Sequence, residues 1–168
     1  MYALTCQLAG KTAESVEVSR RAVQLDSESF LANWGLQAVL LSSGQFEASV
    51  AAGESALAMS GRHPWSIAWL AVALADWGKT GEADSLYVEM QARARRQYVA
   101  PTSLAIAALA AAREDEVIRY AREACKIHDP SCATFFSRYF PLSPRLYRDP
   151  RFREIIAQMG RSDWLRDY

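Results

Sequence analysis

Gly10, Gly44 and Gly78 stand 34 residues apart, and Ala112 continues the series by the same step. A regular interval of that length marks a supersecondary unit repeated along the chain. Such a unit cannot bury its apolar face alone, so neighbouring units must stack and bury it jointly. The expected architecture is therefore an elongated array.

Adding 34 repeatedly sorts the residues into columns. Tyr2, Leu36, Leu70 and Leu104 form one large apolar column, and Cys6, Leu40, Leu74 and Ala108 another, one helical turn further on. After each turn come Ser15, Ser49, Ala83 and Val117, then Ser19, Gly53, Tyr87 and Ala121, then Ala22, Ala56, Met90 and Ala124. Two of these three columns stay mostly small, as a close helix crossing requires. The spacing within each set is three or four residues, and no stretch alternates apolar with polar residues, so the pattern predicts helices and no sheet.

These columns resemble the tetratricopeptide repeat, in which two antiparallel helices are joined by a short turn. Ala112-Arg113-Glu114-Asp115-Glu116-Val117 resembles its inter-helix turn, and Ala22-Val23-Gln24-Leu25-Asp26-Ser27 the end of its second helix. The resemblance implies an all-α fold, a right-handed α-α superhelix of about four helix-turn-helix repeats with a C-terminal capping helix. The array covers residues 1–130, with units near 1–29, 30–63, 64–97 and 98–130, and a C-terminal wrap and capping helix fill 131–168. Two residues depart from the family's pattern. Gln37 replaces the small residue supplied elsewhere by Ala3, Ala71 and Ala105, and Gly53 falls where a bulkier residue is usual. Together they leave open how tightly the second unit packs.

The tail carries a narrower resemblance. Tyr98-Val99-Ala100-Pro101, Asp129-Pro130, Arg148-Asp149-Pro150-Arg151-Phe152 and Met159-Gly160 are similar to the closing segment of tetratricopeptide modules attached to bacterial winged-helix regulators, nucleotide cyclases and protein kinases. That similarity implies a sensor or scaffold module of a signalling protein. From the residues themselves, Asp149 is an N-cap and Pro150 suits a first helical turn. Phe152, Ile155, Ile156 and Met159 then share one face before Gly160 ends the helix. Ser131 to Arg148, with Phe135, Phe136, Tyr139 and Phe140 broken by Pro141 and Pro144, predicts a short helix followed by an irregular wrap. At the other end, Met1 enters the pattern one residue before Tyr2, so the first helix is shortened by about a turn or more. Either the chain is a fragment of a longer array, or its N-terminal face is bare.

Composition fits an ordinary globular chain of 168 residues, 51% hydrophobic and 23% charged. Nineteen basic and nineteen acidic residues cancel, leaving no global field to attract nucleic acid or an anionic membrane. No run approaches the roughly 18 apolar residues of a spanning helix, and the N-terminus lacks the pattern of a secretory signal. The expected location is the cytoplasm. Three cysteines, Cys6, Cys125 and Cys132, are an odd number at core or near-core positions, which fits reduced thiols better than a disulfide framework.

Chemistry is sparse. Cys125, His128 and Cys132 have metal-like spacing, but a structural zinc site needs four ligands and the other histidine, His63, lies far away. Cys125 also continues the apolar column of Val23 and Leu57. No third group is evident to orient a Cys–His pair for nucleophilic catalysis. Glu114, Asp115 and Glu116 lie at a helix start, where acids complement the helix dipole. Arg93, Arg95 and Arg96 lie near a helix end, where cations are favoured. The chain is therefore expected to be no enzyme and to hold no cofactor or metal.

In tetratricopeptide arrays the first helix of each unit lines a concave groove. On the period here the groove columns hold Leu31, Trp65 and Val99; Trp34, Ala68 and Thr102; Ala38, Val72 and Ile106; and Leu41, Ala75 and Leu109. The candidate peptide-binding residues are Leu31, Trp34, Ala38, Leu41, Trp65, Ala68, Val72, Thr102 and Ile106. Members that bind chaperone tails use lysine, arginine and asparagine in such columns, and this chain has none there. Trp34 and Trp65, on adjacent first helices, flank one apolar strip or pack against neighbouring helices and the C-terminal wrap. The favoured reading is a protein-interaction module whose groove takes an apolar peptide or helix, or another copy of itself. The alternative is a regulatory domain of a larger transcription regulator, cyclase or kinase that binds a sister domain or a small effector. A pocket closed by the C-terminal aromatic segment favours the effector, and a long open groove the peptide.

Overall fold

A computed structural model describes Ala3, Cys6, residues 9–137 and residues 143–165. Among these, the chain is helical throughout and forms no strand. The helices are α1 (Thr12–Leu25), α2 (Phe30–Ser42), α3 (Phe46–Met59), α4 (Pro64–Asp76), α5 (Thr80–Ala94), α6 (Pro101–Ala110), α7 (Glu114–Lys126), α8 (Cys132–Phe135), α9 (Ser143–Leu146) and α10 (Pro150–Gln158). A final 3-10 turn covers Ser162–Leu165.

The 34-residue period is visible in the backbone itself. Gly10, Gly44 and Gly78 have φ of 74°, 73° and 86°, the left-handed region that glycine enters without steric cost, and Ala112 is forced into it at 54°. The next residue in each unit, Lys11, Gln45, Lys79 or Arg113, has φ between −96° and −86° and ψ between 58° and 67°. Its N–H reaches back to the carbonyl of Cys6, Leu40, Leu74 or Ala108 at 2.8–2.9 Å. This bond ends one helix by satisfying a carbonyl the helix would leave orphaned. The turn occurs four times with one geometry.

The short turn folds each second helix back on the first, so α2 packs along α3, α4 along α5 and α6 along α7. Successive first helices also touch, α2 with α4 and α4 with α6. Every residue of α4 from Ser66 to Leu74 is buried, as is every residue of α6 from Pro101 to Ala108. Both helices are apolar all round, the pattern of a helix covered on all sides. The columns read from the sequence are core: Leu70, Leu104, Cys6, Leu40, Leu74 and Ala108 are buried, and Leu36 is partly so. Tyr2 lies outside the described residues.

A hydroxyl bridge recurs at the same place in the first two units. Ser15 Oγ donates to the Ala3 carbonyl at 2.7 Å, and Ser49 Oγ, one period later, donates to the Gln37 carbonyl at 2.9 Å. Ala83 and Val117 fill this position in the later units and are buried there. The two departures in the second unit prove complementary. Gln37 is fully buried, and a Cβ placed on Gly53 would strike its amide nitrogen, with Gln37 Cδ at 2.8 Å and Leu70 Cδ1 at 3.2 Å. The large residue on one helix occupies the volume vacated on its partner. The two helices of the second unit therefore meet closely at this point.

Beyond α7 the chain closes the end of the stack. Asp149 caps α10, accepting from the Arg151 N–H at 2.8 Å, and Pro150 opens the helix. Phe152, Ile155 and Ile156 are buried, α10 packs on α7 and on the 3-10 turn, and Gly160 follows with φ of 74°. Phe136 and Tyr147 meet Phe152 with ring centroids 5.3 and 5.6 Å apart, and Tyr147 donates its hydroxyl to the Phe136 carbonyl at 3.0 Å. Arg151 also reaches Asp115 at 2.6 Å, joining the start of α10 to the start of α7. Tyr139, Phe140 and Pro141, named in the expected wrap, lie outside the described residues.

Candidate functional site

The groove columns converge on an aromatic cluster between α2, α4 and α8. The link before α4 is ordered by His63, whose Nδ1 accepts from the Trp65 N–H at 3.2 Å, and Pro64 follows at the first helical position. This start sets Trp65 beside Trp34, ring centroids 4.9 Å apart, with Phe30 on its other side at 6.0 Å. Trp69, one turn on, meets Trp34 at 6.3 Å. Most of these contacts are edge-on or tilted, the arrangement the ring quadrupole favours. The indole N–H groups of Trp34 and Trp65 are buried and make no hydrogen bond with a described residue, so ring packing holds both.

The C-terminal segment covers this cluster. Phe135 of α8 sits 5.5 Å from the Trp65 ring and 5.8 Å from the Trp69 ring. The helix is oriented by Asp129, itself buried, which accepts from the Thr102 N–H at 3.2 Å and the Ser131 N–H at 2.9 Å. Arg145 of α9 pairs with Asp76 at the end of α4, a second tether of the tail to the third unit.

Of the residues expected to line an open groove, Trp34, Ala38, Leu41, Ala68, Val72, Thr102 and Ile106 are buried. Leu31 is exposed at 66%, and Trp65 is partly buried. Trp34 and Trp65 thus pack against neighbouring helices and the C-terminal segment, the second of the two arrangements that the sequence left open. Ala38 and Ala68 are small enough for successive first helices to close over them, and Phe135 folds back over Trp65 and Trp69. The second of these causes carries no periodic signal, since it joins residues of unrelated columns.

A cavity of about 600 Å³ opens between the turn joining α6 to α7, the end of α9 and the start of α10. Leu109, Val117, Ile118, Leu146 and Phe152 form its apolar lining, with Arg148 and Arg151 beside them. A second cavity, also about 600 Å³, lies at the end of α7 beside Cys125, Cys132, His128 and Met159. Among the described residues no cluster of three or more His, Cys, Asp or Glu side chains is placed to hold a metal ion.

Several of the polar residues singled out from the sequence have structural partners. Glu116 accepts from the Tyr87 hydroxyl and pairs with Arg119 at 3.2 Å, and Gln91 donates to the Tyr87 oxygen at 2.7 Å. Burial, reinforced by Glu116, raises the Tyr87 phenol above its ordinary range, so it stays a donor. Arg93 pairs with Glu89 and donates to the Arg62 carbonyl at 2.6 Å, while Arg95 and Arg96 are exposed. Among the described residues no helix is long and apolar enough to cross a membrane. Comparison with models of known protein families, with curated proteins and with solved structures finds no match.

Proposed function

We propose that the chain is a tetratricopeptide-type interaction module, a right-handed stack of helix pairs serving as a scaffold in signalling or regulation rather than as a catalyst. The observation that carries this reading is the recurrence of one turn geometry at Gly10, Gly44, Gly78 and Ala112. Repeated units of that kind build extended inner faces that hold peptide segments. The chain's own tail illustrates the chemistry such a face accepts. Phe135, carried on a single helical turn, rests on Trp65 and Trp69. The partner is accordingly an apolar segment with an aromatic side chain, from another protein or a second copy, that competes with α8 for the same rings.

The test is a synthetic peptide spanning residues 129–137 added to the Phe135→Ala variant while indole emission is followed. Saturable binding to the variant, weaker in the wild type, supports the proposal. No binding to a variant with native helical content refutes it. The alternative, a regulatory domain that binds a small effector, is favoured by the cavity lined by Leu109, Ile118, Leu146 and Phe152. A fragment that saturates the protein and contacts those side chains would support that second reading.

A further inference from the structure

Cys125 lies in the last turn of α7, and Cys132 opens α8, so a reversal of the chain brings the two residues together. Their sulfurs stand 3.9 Å apart. Cys132 is buried, with its sulfur 3.6 Å from Thr102 Oγ1. Cys125 is partly exposed and lines the cavity of about 600 Å³ at the end of α7, together with Arg122, Lys126 and His128. Both residues border an opening that admits a small molecule, and Cys125 is the more exposed of the two.

We propose that Cys125 and Cys132 form a reversible dithiol site oxidised by hydroperoxides, with Cys125 as the attacking thiol and Cys132 as the resolving thiol. The Cys125 thiolate attacks the distal oxygen of ROOH. A sulfur–oxygen bond forms, the O–O bond breaks, and the alkoxide leaves and takes a proton as ROH. Cys125 is then a sulfenic acid, having given two electrons to the peroxide. The Cys132 sulfur attacks the Cys125 sulfur, the sulfur–oxygen bond breaks, and hydroxide leaves with the Cys132 proton as water. The sum is two thiols and ROOH giving one disulfide, ROH and water, and a thiol reductant reverses it.

The local chemistry supports this division of roles. A hydrogen bond from the Cys132 thiol favours the Cys125 thiolate and lowers its pKa, against burial and the Asp129 charge, which oppose it. The same bond, with burial, raises Cys132 and keeps its proton until it resolves the intermediate. A disulfide has sulfurs about 2.05 Å apart, so closure draws the two together by about 1.9 Å from the observed 3.9 Å.

The probe is hydrogen peroxide on the wild-type chain. Free thiols fall from three to one, and tryptic mapping finds peptides 123–126 and 127–138 joined within one chain. The Cys132→Ser variant retains a sulfenic acid on Cys125 that dimedone captures, while Cys132 in the Cys125→Ser variant reacts at least tenfold more slowly. Retention of all three thiols in the wild type, a linkage through Cys6, or a disulfide between two chains would each overturn the proposal. The wild-type mapping decides the question even if a variant fails to fold.

Discussion

Gly53→Ala probes the close fit between Gly53 and Gln37. In an ordinary helix this change stabilises by about 0.8–1 kcal/mol, because glycine gives up more backbone freedom than alanine. Here the new methyl clashes with the Gln37 amide and comes within 2.8 Å of Gln37 Cδ and 3.2 Å of Leu70 Cδ1. Gln37 is fully buried and cannot swing into solvent, so the overpacking term of about 1–3 kcal/mol outweighs the propensity gain. The variant should lose up to about 2 kcal/mol, or about 4–8 °C in melting temperature for a chain of this size. In a Gln37→Ala background the clash is gone, and the same change should stabilise by about 1 kcal/mol. Urea unfolding of the four chains, followed by circular dichroism, measures the coupling, expected at about 1–3 kcal/mol. Equal effects of Gly53→Ala in both backgrounds would refute the complementary packing of these two helices.

The remaining expectations follow from single contacts. Ala112→Gly removes a left-handed alanine, φ 54°, and should stabilise by about 1 kcal/mol in urea unfolding, whereas Gly78→Ala at φ 86° should destabilise by a similar amount. Trp69→Ala deletes a fully buried ring and should cost about 3–5 kcal/mol, with Trp65→Ala costing less because that ring is only partly buried. The Arg151 guanidinium, first through its hydrogen bond, holds the Asp149 carboxyl below the ordinary carboxylate range. Its contribution is therefore complete above the unfolded pKa of about 3.9 and is lost as pH falls through the lower folded value. The stability difference between wild type and Asp149→Asn should be constant above about pH 5 and shrink in acid. A difference that grows in acid would contradict the pairing.

Elements whose cause is local could be read from the chain alone. A glycine at fixed intervals needs a left-handed turn, and Asp149-Pro150 starts a helix by capping chemistry within three residues, so turn positions and the final helix were legible. The packing of the columns was legible where small residues recur in step. The fit of Gln37 to Gly53 was not, because each looks like a defect when its own column is read by itself and only their contact across two helices reconciles them. The closed inner face stayed one of two alternatives for a related reason. Phe135 reaches Trp65 across 70 residues, and no periodicity encodes a single long-range contact. Cys125 and Cys132 read from the sequence as reduced thiols at core or near-core positions, with a spacing that also resembles metal ligands. Their pairing depends on the left-handed backbone at His128, φ 53°, which reverses the chain between them.

Linear stacking of 34-residue units is the premise on which the functional reading rests, and distances between spin labels test it most directly. Lys11, Gln45, Lys79 and Arg113 occupy one position in four successive turns. In a chain with its three cysteines replaced by serine, labels at 11 and 79 span two unit steps, as do labels at 45 and 113, while labels at 11 and 113 span three. With packed helices about 8–10 Å apart, the first two pairs should agree at about 20 Å and the third should approach 30 Å. A distance between 11 and 113 no longer than that between 11 and 79 would contradict the stacked array.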